Sequence, residues 1–290
     1  MSQFSPISVA FAGLRVIHRE PKAVLSWVVI WLAVPVFAGI MLALFAPHTA
    51  LPGGGGISGL IRQSGLAIAL VVSIFASLWF MTTASVYRAV LRPDEHGWHL
   101  FKLGPDEARL AALAVFSMIV GVPLVGSTAY LIYLISQPVL LFAPGFPPWL
   151  VDAGAAATAA LEIWIAVRVS LAPVYTFDTH RYHLISYWDL TQTYFWRLLF
   201  TYVLVFLQIL VIIIVGAMLS SVFEFAFGHA MLQITLLVSG LLKLVEIVVV
   251  WIVFCACQAA AYQAIMLNPP PAFHPTPSRP RRVKPTLAGD

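Results

Sequence analysis

The sequence predicts an all-α fold: a polytopic membrane helix bundle with six transmembrane helices and cytoplasmic interfacial helices. Three observations predict it. Of the 290 residues, 61% are hydrophobic and 10% charged, against about 25% charged in a typical soluble domain. A water-soluble chain of this length would lack the polar surface to cover its core. The apolar residues also form long continuous runs, not the alternating strands of about ten residues that build a membrane β-barrel. Finally, Lys and Arg gather in alternate connections only.

Six runs reach the roughly 20 residues that a helix needs to cross hydrocarbon: 23–46, 65–87, 109–135, 150–174, 198–220 and 234–264. Before the first, Phe4, Ile7, Phe11 and Leu14 recur at helical spacing, with Arg15 and Arg19 off that stripe. This is the pattern of an amphipathic helix in the headgroup layer, entering the first span at Pro21. The first run follows Lys22 and outlasts the roughly 7–15 residues of a secretory h-region, so it reads as an anchor that stays. Pro47 and the Gly53–Gly56 run close it. Those glycines lack the Lys-Ser/Thr ending of a phosphate loop and serve as a connection.

The stretch 93–110 mixes Trp98, Phe101 and Leu103 with Lys102 ahead of the third run, which Gly121, Pro123 and Gly126 interrupt. Pro144, Pro147 and Pro148 separate the third run from the fourth. In the fourth, Ala153 with Ala157, or Gly154 with Thr158, has the small-residue spacing that lets helices approach closely. The stretch 184–197 again mixes aromatic and polar residues before a span. The chain therefore reads as three units, 1–88, 89–170 and 171–266, each an interfacial helix followed by a hairpin. Together they form a six-span domain over 1–266. Residues 267–290, rich in proline, read as a disordered basic tail. Cys255 and Cys257 lie two apart on one helix, a spacing that suits neither a disulfide nor zinc, and read as buried small residues.

Orientation follows the basic residues. Arg15, Arg19 and Lys22, then Arg88, Arg92, Lys102 and Arg109, then Arg168, Arg181 and Arg197, and then the tail alternate with connections that hold only Arg62. Both chain ends are thereby expected in the cytoplasm. The net charge of +4 is spread over these flanks, not over one groove-facing surface, which argues against nucleic acid as a partner. Membrane lipids are the expected partners. Arg279, Arg281, Arg282 and Lys284 are placed to contact lipid headgroups, each worth about 1 kcal/mol near an anionic surface.

Charges within the runs are the first candidates for a site, since each costs about 2.5–3.5 kcal/mol at a span's centre. Glu162, Lys243 and Glu246, with Arg168 nearer a span end, form a candidate intramembrane polar cluster. It suits either a structural ion pair or a polar path for solute or protons. A second candidate is a metal site of His96, His99, His180 and His183, two pairs each spaced by three behind a carboxylate. The bland alternative is ordinary headgroup-level histidines. No catalytic triad or cofactor motif stands out, so no cofactor is expected and an enzyme is disfavoured.

Three segments carry a family resemblance: FSPISVAFAGLRVIHREPKAVL from Phe4, YRAVLRPDEHGWHLFKLGPDEARL from Tyr87, and YWDLTQTYFWRLL from Tyr187. With them the chain resembles six-helix bacterial inner-membrane proteins, similar in layout to the membrane domain attached to some glycerophosphodiester phosphodiesterases. The resemblance implies a helical bundle in a bacterial inner membrane. It carries over no catalytic residue, since the phosphodiesterase activity of such proteins belongs to a separate soluble domain. The expected role is a non-enzymatic scaffold, or a component that associates with partners or lipids. A transporter for a small or lipid-like solute and a metal-dependent membrane enzyme are the alternatives.

Overall fold

A computed structural model describes residues 4–45, 57–92, 104–119, 149–180, 186–227 and 232–267. These residues are helical, with no strand among them. In chain order the helices are α1 (Pro6–Ala10), α2 (Ala12–Arg19), α3 (Pro21–Phe45) and α4 (Ile57–Leu91). A helical stretch over 105–119 follows as α5. Then come α6 (Trp149–Val169), α7 (Ala172–Thr179), α8 (Ser186–Phe227) and α9 (Leu232–Met266).

Four stretches among the described residues are long and apolar enough to cross a bilayer: Val71–Leu91, Asp152–Thr179, Leu190–Phe227 and Leu237–Met266. The pair α2 and α3, which meet at 95°, would count as a fifth only if both helices formed one span. Glu20 makes that corner. It precedes Pro21, which disfavours helical backbone at the residue before it, and Glu20 sits at φ −122°, ψ 56°. The N-terminal helix is thus separate from the first apolar run, as the sequence predicts.

The third unit differs. Residues 186–227 form one unbroken helix, with no separate interfacial segment, because neither Pro nor Gly occurs between Ser186 and Val215. At 1.5 Å per residue α8 is about 63 Å long, twice a hydrocarbon core of about 30 Å. The fourth run also continues beyond residue 174. After a turn at Ser170–Leu171 it resumes as α7 and ends at His180, whose φ of 57° closes the helix in left-handed conformation. Residues 120–148, which hold most of the third run, lie outside the described residues.

The last turns of α9 are the hub. Ile252, Val253, Cys255, Ala256, Cys257, Ala259 and Ala261 are all fully buried, because α1, α2, α3, α4, α7 and α8 all pack on this helix. The two free thiols point to different faces, and both faces are covered. Small side chains make the close packing feasible. At Gly13 of α2 an added Cβ would lie 2.6 Å from the Val253 Cα, so the two backbones nearly touch.

The N-terminal helices carry a face that the apolar stripe conceals. Phe4, Val9, Ala10, Ala12 and Val16 are buried against the bundle, while Ile7, Phe11 and Leu14 are exposed. Of the predicted stripe only Phe4 faces the protein, 5.9 Å from the Tyr194 ring. The fourth run corrects a second expectation. Gly154 has nothing within 4 Å of an added Cβ, and Ala153 and Ala157 are exposed. The small-residue spacing there marks no close helix contact among the described residues. Instead α6 packs on α8 around Val167 and Arg168, near its end.

Candidate functional site

Polar side chains concentrate at the end of the bundle where the N-terminal helices lie. Arg88 at the end of α4 pairs with Glu107 of α5, and both are more than 90% buried. Glu107 is the third residue of a helix that opens Gly104-Pro105, and its second oxygen accepts the Gly104 N–H at 2.9 Å. This is the reciprocal half of a capping box, with proline where its missing N–H costs nothing. The same carboxylate therefore caps α5 and neutralises a buried guanidinium.

Next to it, Asp106 accepts from Arg109 Nη1 at 2.7 Å and lies 2.8 Å from His180 Nδ1. This ties α5 to the end of α7. The Arg88 and Arg92 guanidinium groups stand over the Phe177 ring at 5.6 and 5.5 Å. From α4, the Tyr87 hydroxyl donates to Gln258 Oε1 at 2.9 Å, and Gln258 Nε2 donates to the Ser170 carbonyl at 3.0 Å. The Tyr262 hydroxyl donates to Asp178 at 2.8 Å. A short way along the helices, Trp31 and Trp251 donate their indole N–H to Thr82 and Thr83, each at 3.0 Å. Apart from the Gly104–Glu107 cap and the Asp106–Arg109 pair within α5, these contacts join different elements, and together they link all three predicted units.

A second arrangement occupies the contact between α6 and α8. Arg168 is 7% exposed. Its guanidinium is surrounded by the rings of Trp164, Trp188 and Phe195 at 5.2, 5.2 and 6.0 Å. Nη1 donates to the Trp188 carbonyl at 3.0 Å. Nε has no partner, and no carboxylate pairs with Arg168 among the described residues. Sequence position suggests a side chain that snorkels to the interface, but three aromatic rings hold it inside. Beyond this cage runs a groove of about 400 Å³ between α6, α8 and α9, lined by Ile163, Ala166, Val167, Leu199, Phe206, Phe254 and other apolar side chains. Ser170 and Tyr202 are its polar members; the buried Tyr202 hydroxyl faces Ser170, whose own hydroxyl donates to the Val167 carbonyl at 2.7 Å.

The predicted intramembrane cluster is brought together only in part. Lys243 and Glu246 pair at 2.8 Å along one face of α9. The Glu246 carboxylate lies directly over Gly216 of α8, where any Cβ would collide with it. Glu162 sits half-buried on α6, which packs on α8, and it makes no ion pair among the described residues. Arg168 takes part in the separate aromatic cage. Of the predicted metal ligands, His180 binds Asp106; His96, His99 and His183 lie outside the described residues. Among the described residues no group of three or more metal-ligating side chains converges. Arg279, Arg281, Arg282 and Lys284 also lie outside them.

Several of these residues escape sequence reasoning. Arg88 looks like one more flanking base, and Glu107 like a loop carboxylate. The signal for the latter was present in Gly104-Pro105-x-Glu107, a helix start with a carboxylate at its third position. Nothing local marks Thr82, Thr83 or Gln258 as partners of residues far along the chain.

No protein-family model matches the chain, and no curated protein or solved structure matches it either. Fold and site together define an all-helical protein with several helices able to cross a membrane, fastened by a buried polar network at one end.

Proposed function

We propose that the chain is a six-span protein of a bacterial inner membrane, with both ends in the cytoplasm, serving as a non-enzymatic scaffold that associates with lipids or partner proteins. The observation that carries this reading is the division of the helices. Their basic ends are locked to one another by buried charges and hydrogen bonds, whereas α8 beyond Val205 presents bare apolar side chains such as Phe206, Val211 and Phe225. Such a surface fits lipid, and the fastened end fits a fixed platform. The resemblance to membrane domains attached to phosphodiesterases agrees with a helper role, not with chemistry in the bundle itself.

Topology is tested with single cysteines, introduced after Cys255 and Cys257 are replaced by alanine, and a thiol reagent that does not cross membranes. Sites near both ends and at Lys102 should stay protected in intact cells, while a site within Gly53–Gly56 should label. Ends on opposite faces would refute the reading. Purification in mild detergent should then recover lipid or protein in fixed ratio; a stoichiometric metal ion would support the enzyme alternative instead. The transport alternative finds less support. Lys243 is engaged by Glu246, Glu246 is pressed on Gly216, and the α6–α8 groove is lined almost wholly by hydrocarbon.

A further inference from the structure

Arg168 poses a problem that its surroundings do not solve. A guanidinium offers five N–H donors, and a buried cation is ordinarily paired. Here one donor reaches a carbonyl, and among the described residues Nε has no partner and no carboxylate pairs with the guanidinium. Facing aromatic rings stabilises the charge through their quadrupoles and holds the group still, but rings accept no ordinary hydrogen bond. The arrangement is a fixed cation with unused donor capacity.

The groove beside it is an apolar trough with two polar groups, the neighbouring Ser170 and Tyr202 hydroxyls. Cage and groove belong to the same helix contact. On α8, Trp188, Phe195, Leu199, Tyr202 and Phe206 follow one another at helical spacing on a single face. On α6, Trp164 and Arg168 are one turn apart, and Ala166, Val167 and Ser170 flank them. A single elongated ligand can therefore meet a cation at one end, hydroxyls next, and hydrocarbon beyond.

We propose that the Arg168 cage and the α6–α8 groove form one binding site for an anionic phospholipid, with its phosphate on Arg168 and an acyl chain in the groove. The site deepens the scaffold reading above and rests on its claim that these helices lie in a bilayer. A phosphodiester supplies the paired acceptors that a planar guanidinium matches, and an uncharged headgroup leaves its negative charge to Arg168, whereas the choline of a zwitterionic lipid offsets it. Its ester oxygens match the groove's few polar atoms, at Tyr202 and Ser170. An acyl chain needs no polar partner and fills the rest.

The test uses the full-length protein, purified in detergent and stripped of lipid, with three probes: dioleoyl phosphatidylglycerol, dioleoyl phosphatidylcholine and inorganic phosphate. Native mass spectrometry counts bound lipid, and the melting midpoint follows each titration. Phosphatidylglycerol should bind in a saturable one-to-one step and raise the midpoint, and the other two probes should not. Arg168→Gln should weaken that binding by about tenfold, as loss of a charge-assisted contact predicts, and Arg168→Lys should retain part of it. Ala166→Phe, which fills the groove and leaves the cation intact, should also weaken it, and keeps the test decisive should Arg168→Gln fail to fold. Equal binding of phosphatidylcholine, equal stabilisation by inorganic phosphate, or wild-type binding by Ala166→Phe would each overturn the site. Failure here in a protein whose two ends still map to the cytoplasm would remove the lipid site and leave the topology standing.

Discussion

The two ends of this bundle are built on different physics. At the basic end, Thr82 through Ala89 of α4 form a nearly continuous buried segment, and charged and hydroxyl side chains bond between helices. Toward the other end, α8 exposes large apolar side chains on most of its faces, culminating in Phe225 at 91%. In water that surface would be a liability; against lipid it needs no cover, because hydrocarbon is as good a neighbour as another helix. Specific helix association in such a solvent must come from close backbone approach and polar bonds, and both occur at the basic end. The comparison teaches that, among the described residues, the fold is fastened by polar bonds and close backbone approach at one end, while at the other α8 presents apolar side chains.

Breaking the fastening should give the largest effects. Arg88→Met leaves the Glu107 carboxylate buried without its cation and should cost about 3–5 kcal/mol, read as a large drop in melting midpoint in detergent. The double variant Arg88→Met/Glu107→Leu should recover most of that loss, since an apolar pair of similar volume restores neutrality. A double variant as unstable as the single one would show that the pair matters for α5 capping more than for charge balance.

Gly13→Leu comes next. Its side chain must displace α2 from Val253, and overpacking of this kind costs roughly 1–3 kcal/mol, again measured by thermal unfolding. Trp31→Phe removes one buried hydrogen bond but keeps the ring; a loss of about 0.5–1.5 kcal/mol is expected, and Thr82→Val should not add to it fully, because the two residues share that bond. At the far end, Phe225→Ala should change stability by no more than about 0.5 kcal/mol. A large loss there would mean that the exposed half of α8 is covered by a partner, and chemical cross-linking from position 225 would then identify it.

Legibility in the sequence follows the range of the interactions. The apolar runs at 23–46, 150–174, 198–220 and 234–264 each correspond to a described helix of at least 21 residues, because hydrophobicity over a window is a local property. The corner at Glu20-Pro21 was readable for the same reason. The sequence suggests two parts over 184–220 where the structure has one helix from Ser186, because aromatic and polar residues near an interface do not by themselves interrupt backbone hydrogen bonding. The outer stripe of the N-terminal helix was conspicuous, whereas its protein-facing side, built on Val9, Ala10, Gly13 and Val16, was concealed by small residues that carry little hydrophobic signal. Lys243 and Glu246 were legible as an i,i+3 pair, but Gly216 beneath the carboxylate was not.

The sequence by itself determined which runs are long and oily enough to cross a bilayer and where the chain turns at Pro21, since hydrophobicity over a window and the stereochemistry of proline need no distant partner. Only the tertiary structure decided which polar groups meet: Arg88 with Glu107, Tyr87 with Gln258, Trp251 with Thr83, and Arg168 with three aromatic rings. The reason is geometric. Each of those pairings is made by helices crossing in space, and a side chain's partner across a helix contact depends on crossing angle and rotation, which no stretch of local sequence encodes.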